Sequence, residues 1–309
     1  MSNQNWSTAD IPSQAGKLAI ITGSNSGIGF QAAKELARAG ATVILACRNA
    51  QKAEDAKNKI LAEISHAKIE VGSLDVADLK SVREFSKKFI ASDRELNLLI
   101  NNAGVMAYLD RKVSPDGFEM QFATNHLGHF ALTGLLLPAL LSTAGSRVVS
   151  VASLAHRTGT MYFNDLQFEK KYKPWMAYAQ SKLSNILFAL ELDRRLKILS
   201  ANVESLVVHP GLSDTSLGVN GPGSKNKFLA TVAKVISPLI CQSEEQGALP
   251  TLRAATDPLA KGGEYYGPGG FLQWRGSPVS IRCTSEASSK EVAEKLWKIS
   301  EDLTKVRYL

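Results

Sequence analysis

The sequence predicts an α/β protein built on a doubly wound parallel sheet of about seven strands, with helices on both faces. Apolar runs of strand length alternate with helical patterns from residue 17 to residue 208. The first of these strands runs straight into a glycine-rich turn and a helix. No Pro/Gly-rich linker or internal repeat divides the chain, so residues 1–309 read as a single domain.

Residues 17–21 are a short apolar run, read as a buried strand. Thr22-Gly23-Ser24-Asn25-Ser26-Gly27-Ile28-Gly29 follows at once. A helical pattern covers 26–39, with Phe30, Ala33, Leu36 and Ala37 on its apolar side, and Gly40 ends it. A second strand spans 41–46, completing the start of a right-handed β-α-β unit. Gly23 can take the backbone angles of a tight turn, Gly27 lets a pyrophosphate approach the backbone, and Gly29 lets the helix pack on the sheet. The free N–H groups of the helix N-terminus face negative phosphates. The G-x-x-x-G-x-G spacing is one residue wider than the usual dinucleotide fingerprint, and no Gly-Lys-Ser/Thr ending marks a nucleoside-triphosphatase loop. The fold expected is therefore Rossmann-type.

Arg48-Asn49 leads into a helix to about residue 64, with Lys52, Lys57 and Lys59 on its outside. A third strand at 68–71 precedes Leu74-Asp75-Val76 and a helix over 77–90. The fourth strand, 96–100, ends in Asn101-Asn102-Ala103-Gly104, at the carboxyl edge where open α/β sheets bind ligands. A long helix is expected over 117–141, bent around Gly128 and Pro138. The fifth strand, 147–151, delivers Ser153, and a helix over 176–199 carries Tyr178 and Lys182. The sixth strand, 203–208, ends in His209-Pro210-Gly211. Beyond it lie a glycine-rich stretch at 218–223, a helix over 225–239 and a helix over 243–255 with Ser243 as N-cap. Residues 212–240 are read as a lid region on the substrate side. Residues 261–283 hold a last strand and a hairpin-like extension, and a terminal helix runs over 285–303, closing a C-terminal part of 261–309. Residues 1–15 form an N-terminal arm tacked down by Trp6 and Ile11.

Net charge is +7, and no Lys/Arg block, zinc finger or RNA-binding signature accompanies it, so no nucleic-acid partner is expected. Cys47, Cys241 and Cys283 are widely spaced and form no Cys-x-x-Cys pair. With a polar N-terminus unlike a secretory leader, this points to a reducing, cytoplasmic setting. No membrane span is expected, since the apolar stretch 132–141 is short and contains Pro138.

Tyr178 and Lys182 stand four apart on a helix and so share a face. An ammonium beside a phenol favours phenolate, which suits the Tyr to general acid–base work. The Ser153 hydroxyl, at the ligand end of the fifth strand, can hold a carbonyl oxygen. Asn125, inside an apolar helix, must be satisfied by hydrogen bonds; fixing backbone at a helix irregularity would do this and is compatible with holding a water near Lys182.

On these residues the chain resembles the short-chain dehydrogenase/reductase family. Thr22 to Gly29 matches the T-G-x-x-x-G-I-G cofactor motif, Asn101 to Gly104 matches N-N-A-G, and Asn125, Ser153, Tyr178 and Lys182 match the catalytic set. Pro210-Gly211 matches the turn beside the nicotinamide, Asp75 matches the adenine contact, and Thr215 matches a residue near the carboxamide. The runs at 46–48, 124–130, 153–156, 178–187 and 208–211 resemble the retinol-dehydrogenase-like branch. Ala152 stands where that branch often has a second serine. Many retinoid-active members carry a membrane anchor, of which this chain shows no sign.

The resemblance implies direct hydride transfer, a carbonyl and an alcohol being interconverted with Tyr178 as general acid/base. Ser153 would bind the substrate oxygen, Lys182 would lower the Tyr178 pKa and hold the nicotinamide ribose, and Asn125 would position a relay water. The implied cofactor-binding set is Gly23, Asn25, Ser26, Gly27, Ile28, Gly29, Arg48, Asn49, Asp75, Val76, Asn102, Ala103, Gly104, Tyr178, Lys182, Pro210, Gly211 and Thr215. NAD-using enzymes place Asp or Glu after the second strand, whereas here Arg48 can pair with a 2′-phosphate. NADP(H) is thus expected, with NAD(H) as the alternative. His126, His129 and His156 lack any zinc-site pattern, and no metal is expected. Trp175, Met161, Tyr162, Phe163 and Phe228 would make the pocket apolar, favouring a lipophilic small-molecule aldehyde, ketone or alcohol. The alternative to an enzyme is a catalytically silent dinucleotide-binding regulator or scaffold. Homodimer, homotetramer and monomer are all left open.

Overall fold

The computed structural model describes residues 5–106, 108–212 and 242–309. Seven strands run parallel: β1 (Leu18–Thr22), β2 (Thr42–Cys47), β3 (Lys68–Ser73), β4 (Leu98–Asn101), β5 (Ser146–Val151), β6 (Val203–Val208) and β7 (Tyr265–Pro268). Their order across the sheet is β3-β2-β1-β4-β5-β6-β7. An eighth strand, β8 (Pro278–Ile281), pairs antiparallel with β7. The expected seven-strand parallel sheet is therefore mixed and one strand wider. The hairpin-like extension supplies the extra strand, because Gly269 and Gly270 turn the chain back onto β7. Pro278 is tolerated at the start of this outermost strand.

The central strands are buried on both faces. Ile20 and Leu99 point into one apolar cluster, Ile21 and Ile100 into the other. One face is covered by α1 (Gly27–Arg38), α2 (Ala50–Glu63) and α6 (Glu244–Thr256). The other is covered by α3 (Leu79–Ile90), α4 (Gly128–Leu141), α5 (Pro174–Ile198) and α7 (Lys290–Thr304). The chain leaves β1 toward β2 on one side and meets β4 on the other. The carboxyl ends of β1 and β4 thus flank the crevice where the winding reverses.

Helix starts follow local chemistry. Asn49 caps α2 by accepting from Lys52 N at 2.9 Å, and Asp78 caps α3 by accepting from Lys80 N at 2.9 Å. Ser243 accepts from Gln246 N at 3.3 Å, as its spacing suggested. The terminal helix starts at Lys290 under a Ser289 cap, later than residue 285, because Ser288 and Ala287 close a separate turn on Thr284. The arm is not loose where it is described. Trp6 is buried with α1 and Gln14 N donates to Ala39 O at 2.8 Å. The expected helix at 225–239 and the glycine-rich stretch 218–223 lie outside the described residues.

The long helix before β5 begins at Met120 rather than 117 and is irregular. A π-turn, Ala123–Leu127, separates Met120–Phe122 from α4. Gly128 follows immediately, and the Val76 carbonyl packs where a side chain there would begin. The backbone of the 75–77 loop therefore rests on α4 at this one residue. Gly128→Ala should destabilise the fold by about 2–4 kcal/mol, read from urea unfolding midpoints, because backbone rather than a flexible side chain must move.

Candidate active site

A cleft of about 910 Å³ opens at the carboxyl ends of β1, β2, β4 and β5. The turn after β1 forms its floor. Gly23 has φ +65°, and a Cβ there would meet Ala103 Cα at 2.9 Å, so a side chain would part the two loops that meet at the switch point. Gly29 leaves room for the Asn102 amide, which donates to Thr22 O at 2.8 Å. The close approach expected at Gly29 is thus to a side chain at the end of β4, not to the sheet at large. Thr22 Oγ1 accepts from Asn102 N and Ala103 N, each at 2.9 Å. Ser26 stands at the N-cap of α1 without a side-chain cap bond, so the helix start faces the cleft with its polarity available to an anion.

At the far end Arg48 sits 3.7 Å from Asp75, whose other oxygen accepts from Ala77 N at 2.9 Å. Arg48 is largely exposed and swings over the cleft. Lys52 lines the same end, although its position on α2 read as outward. It stands one helical turn beyond Arg48, which is the spacing that could have revealed it. Asn49, Val76, Asn25, Ile28 and Gly104 line the cleft as well.

The other end gathers Ser153, Tyr178 and Lys182. Ser153 stands two residues past β5 and caps the short turn Leu154–Thr158, its Oγ accepting from Ala155 N at 3.2 Å. Its hydroxyl faces the Tyr178 phenol. Tyr178 and Lys182 come from one face of α5, and both are buried. Lys182 Nζ lies 6.0 Å from the Tyr178 ring centre and donates to Val151 O at 3.0 Å. Burial pushes the Lys182 pKa down to about 8. Burial pushes the Tyr178 phenol up, with the Ser153 hydrogen bond acting the other way. The expected depression of Tyr178 by its lysine is not what this arrangement produces. The ammonium is turned to the Val151 carbonyl, and desolvation is the larger influence on the phenol.

Asn125 does not line the cleft. It is fully buried in the π-turn, where Nδ2 donates to Val105 O at 3.0 Å and to Ser181 Oγ at 2.8 Å. Its Oδ1 accepts from Val105 N at 2.8 Å. The side chain thus clamps the backbone just after Asn101-Asn102-Ala103-Gly104, the backbone-fixing role expected of it at a helix irregularity. Gly104 brings that backbone against Lys182 Nζ, which lies 3.4 Å from where a Cβ would sit.

Pro210 and Gly211 line the cleft, held by Gln242 Nε2 donating to Pro210 O at 2.6 Å. Thr215, Phe228 and nearly all of the 212–240 lid region lie outside the described residues. The substrate side is walled by Met106, Met120, Leu154, Trp175, Leu212 and Trp274. Trp175 alone of the expected described aromatics is there. Met161 is buried in the core beside Leu183, Phe163 lies under Lys295, and Tyr162 packs on Phe168. An aromatic run after a site serine does not reveal which way its loop turns. Trp274 arrives through the β7–β8 connection, which carried no sequence signal for the site.

Among the described residues no three His, Cys, Asp or Glu side chains are grouped to hold a metal ion. His126 meets Ser300 Oγ at 2.8 Å, and His156 Nδ1 lies 2.6 Å from Ser153 O. Among the described residues no helix is long and apolar enough to cross a membrane.

Residues 17–222 match the family model described as short chain dehydrogenase. The chain belongs to the short-chain dehydrogenase family. Retinol dehydrogenase 13 of Homo sapiens is 43% identical over 294 residues, covering 94% of this chain and 84% of that protein. Within the family the chain is thus retinol-dehydrogenase-like. A solved structure of an uncharacterised protein from Mycobacterium Paratuberculosis matches with a TM-score of 0.81 and 39% identity over 99% of each chain. L-Sorbose reductase from Gluconobacter frateurii, complexed with NADPH and L-sorbose, shares the fold with a TM-score of 0.66 and 19% identity, over 83% of this short-chain dehydrogenase and 95% of that chain.

Three buried imidazoles near the site shape its acid stability. Burial holds His126, His129 and His209 at pKa values of about 3, about 4 and about 3. Unfolded imidazoles take a proton near pH 6.5, as about their ordinary pKa requires. The unfolded chain therefore binds more protons from pH 6.5 down to about 4, and stability falls with pH in that window by about 1.4 kcal/mol per pH unit for each imidazole. Urea unfolding at several pH values should show this slope, and His126→Leu should remove one imidazole's share of it.

Proposed function

We propose that this short-chain dehydrogenase is an oxidoreductase that interconverts a lipophilic carbonyl and its alcohol by direct hydride transfer with NADP(H). The observation that carries this is one continuous cleft. An anion-ready helix start and two cations stand toward one end, and Ser153, Tyr178 and Lys182 at the other. When bound, NADP(H) supplies the hydride chemistry.

The residues present fit such a group. Gly27 meets nothing nearer than Glu244 Oε1 at 3.7 Å where its Cβ would be, leaving backbone open to a pyrophosphate. Asp75 and Val76 would flank an adenine, and Asn102, Ala103 and Gly104 would line the way to the nicotinamide end beside Pro210 and Gly211. Arg48 and Lys52 would take a 2′-phosphate, Arg48 exchanging its 3.7 Å pairing with Asp75 for a stronger bidentate one. No carboxylate follows β2 to favour a ribose 2′-hydroxyl instead, since Arg48 and Asn49 stand there.

Tyr178 gives its proton to the substrate oxygen in reduction and takes it back in oxidation. Burial keeps the phenol protonated at rest, the form that acts as the acid in reduction. Ser153 holds the same oxygen. Lys182, charged below about pH 8, would balance the phenolate that forms and hold the nicotinamide ribose. Asn125 serves these groups indirectly, by fixing Val105 and with it the backbone beside Lys182. Met106, Met120, Trp175 and Trp274 favour an apolar substrate body and exclude water around the reacting carbon.

Reduced-nicotinamide absorbance, followed over a panel of lipophilic aldehydes and ketones, tests the reading. Turnover with NADPH is expected, and Tyr178→Phe should lower kcat by about 10²–10⁴-fold. Folded protein that binds NADPH with no turnover of any carbonyl would favour a silent dinucleotide-binding regulator. For the cofactor assignment, Arg48→Ala and Lys52→Ala should each weaken NADPH by about tenfold while leaving NADH nearly unchanged. Equal losses for both cofactors would overturn the 2′-phosphate role.

A further inference from the structure

Outside the residues already given a role, one buried group touches both halves of the site. His129 lies in the first turn of α4, almost wholly buried, with both ring nitrogens engaged. Nε2 is 2.8 Å from Thr22 Oγ1, and Nδ1 is 3.1 Å from the Asn125 carbonyl oxygen.

The hydrogen positions follow from the partners. Thr22 Oγ1 already accepts two backbone N–H groups, from Asn102 and Ala103, which occupy its lone pairs. Its own hydrogen must therefore be donated, and His129 Nε2 at 2.8 Å is the nearer acceptor, Ile100 O being 3.4 Å away. The Asn125 carbonyl carries no hydrogen, so Nδ1 must donate to it. One neutral tautomer, with the hydrogen on Nδ1, satisfies every contact at once. Burial keeps the ring neutral through the ordinary working range, and the nearby Lys182 charge acts in the same sense.

The two partners govern different ends of one short loop. Thr22 holds Asn102 and Ala103 by their amides, and Asn125 holds Val105 by both its N–H and its carbonyl. We propose that His129 is a positioning residue that ties the cofactor-binding turn, through Thr22, to the π-turn that sets the backbone beside Lys182, through the Asn125 carbonyl. The proposal rests on the function proposed above. It predicts that the arms separate, the Thr22 arm serving cofactor affinity and the Asn125 arm serving turnover.

His129→Asn places an amide donor near the Nδ1 position and removes the acceptor for Thr22. His129→Gln reaches the Nε2 position with a carbonyl acceptor and removes the donor to Asn125. For His129→Asn, the NADPH Kd measured by fluorescence should rise about tenfold, with kcat at saturating NADPH within about twofold of the parent. For His129→Gln, Kd should stay within about twofold, while kcat falls about tenfold and its pH profile shifts. Losses of Kd and kcat in equal proportion in both variants, tracking a fall in Tm, would reduce His129 to packing and overturn the proposal, as would two unchanged variants. Should either variant fail to fold, the ring nitrogens of ¹⁵N-labelled parent protein decide. A neutral Nδ1–H imidazole that does not titrate between about pH 5 and 8 supports the network, and an Nε2–H form or ordinary titration near pH 6.5 refutes it. A parent protein that binds no NADPH would sink the proposed function instead, and the ring spectrum would still judge the network.

Discussion

The site depends on how the ends of β1 and β4 are joined. Thr22, the last residue of β1, accepts two amides from the loop after β4, and Asn102 of that loop returns a bond to the Thr22 carbonyl. The Asn102 N–H is shared with Ile100 O, whereas the Ala103 N–H would be left half-buried without Thr22, at a cost of about 1–3 kcal/mol. The crossover at this point opens the crevice, and these bonds set its width. Gly23 and Gly29 are the residues whose missing side chains permit the approach. The Thr22 hydroxyl and the Asn102 amide thus tie the floor of the cleft to the loop after β4, while Gly23 N on Ala46 O and Ser24 on Ile21 O hold the turn itself.

From that junction the order passes along the loop to the reacting end. Asn125 clamps Val105, and the backbone at Gly104 lies against Lys182. The π-turn is what lets Asn125 point back at the loop from inside an otherwise apolar helix, and Gly128 lets that helix accept the Val76 carbonyl. Burial then sets the electrostatics. Tyr178 is held as the neutral phenol, and Lys182 is charged but brought within reach of neutral pH. Losing the Tyr178 proton to a substrate oxygen therefore needs compensation for the phenolate that forms, and Ser153 and the Lys182 charge are the groups placed to supply it.

Strand and helix periodicity made β1 to β6 readable to within a residue or two, because the inner strands are buried on both faces and mostly apolar, while the more exposed edge strand β3 still carries Ile69 and Val71. Most of the cleft was readable for a related reason. The turn at 22–29, Arg48, Asp75, the loop at 101–104, Ser153 and Gly211 all stand at or near strand ends, and strand ends of one parallel sheet share an edge. What escaped were residues whose place depends on how a loop or a helix is rotated. Met161 and Phe163 went to the core instead of the pocket, Lys52 turned toward the cleft, and Trp274 came in from the β7–β8 connection.

By itself the sequence determined the order of strands and helices, the glycines at the turn and the pairing of Tyr178 with Lys182 on one helix face. These are properties of neighbours along the chain, written in periods of two and of three to four residues. Only the tertiary structure decided that Asn125 spends its whole side chain on Val105 and Ser181. It alone decided that Lys182 turns to Val151 while burial raises Tyr178, and that His129 spans from Thr22 to Asn125. Hydrogen-bond partners and desolvation are set by what packs around a group in space. The partners here come from residues as far apart in sequence as Thr22 and His129, a distance at which no local pattern carries information.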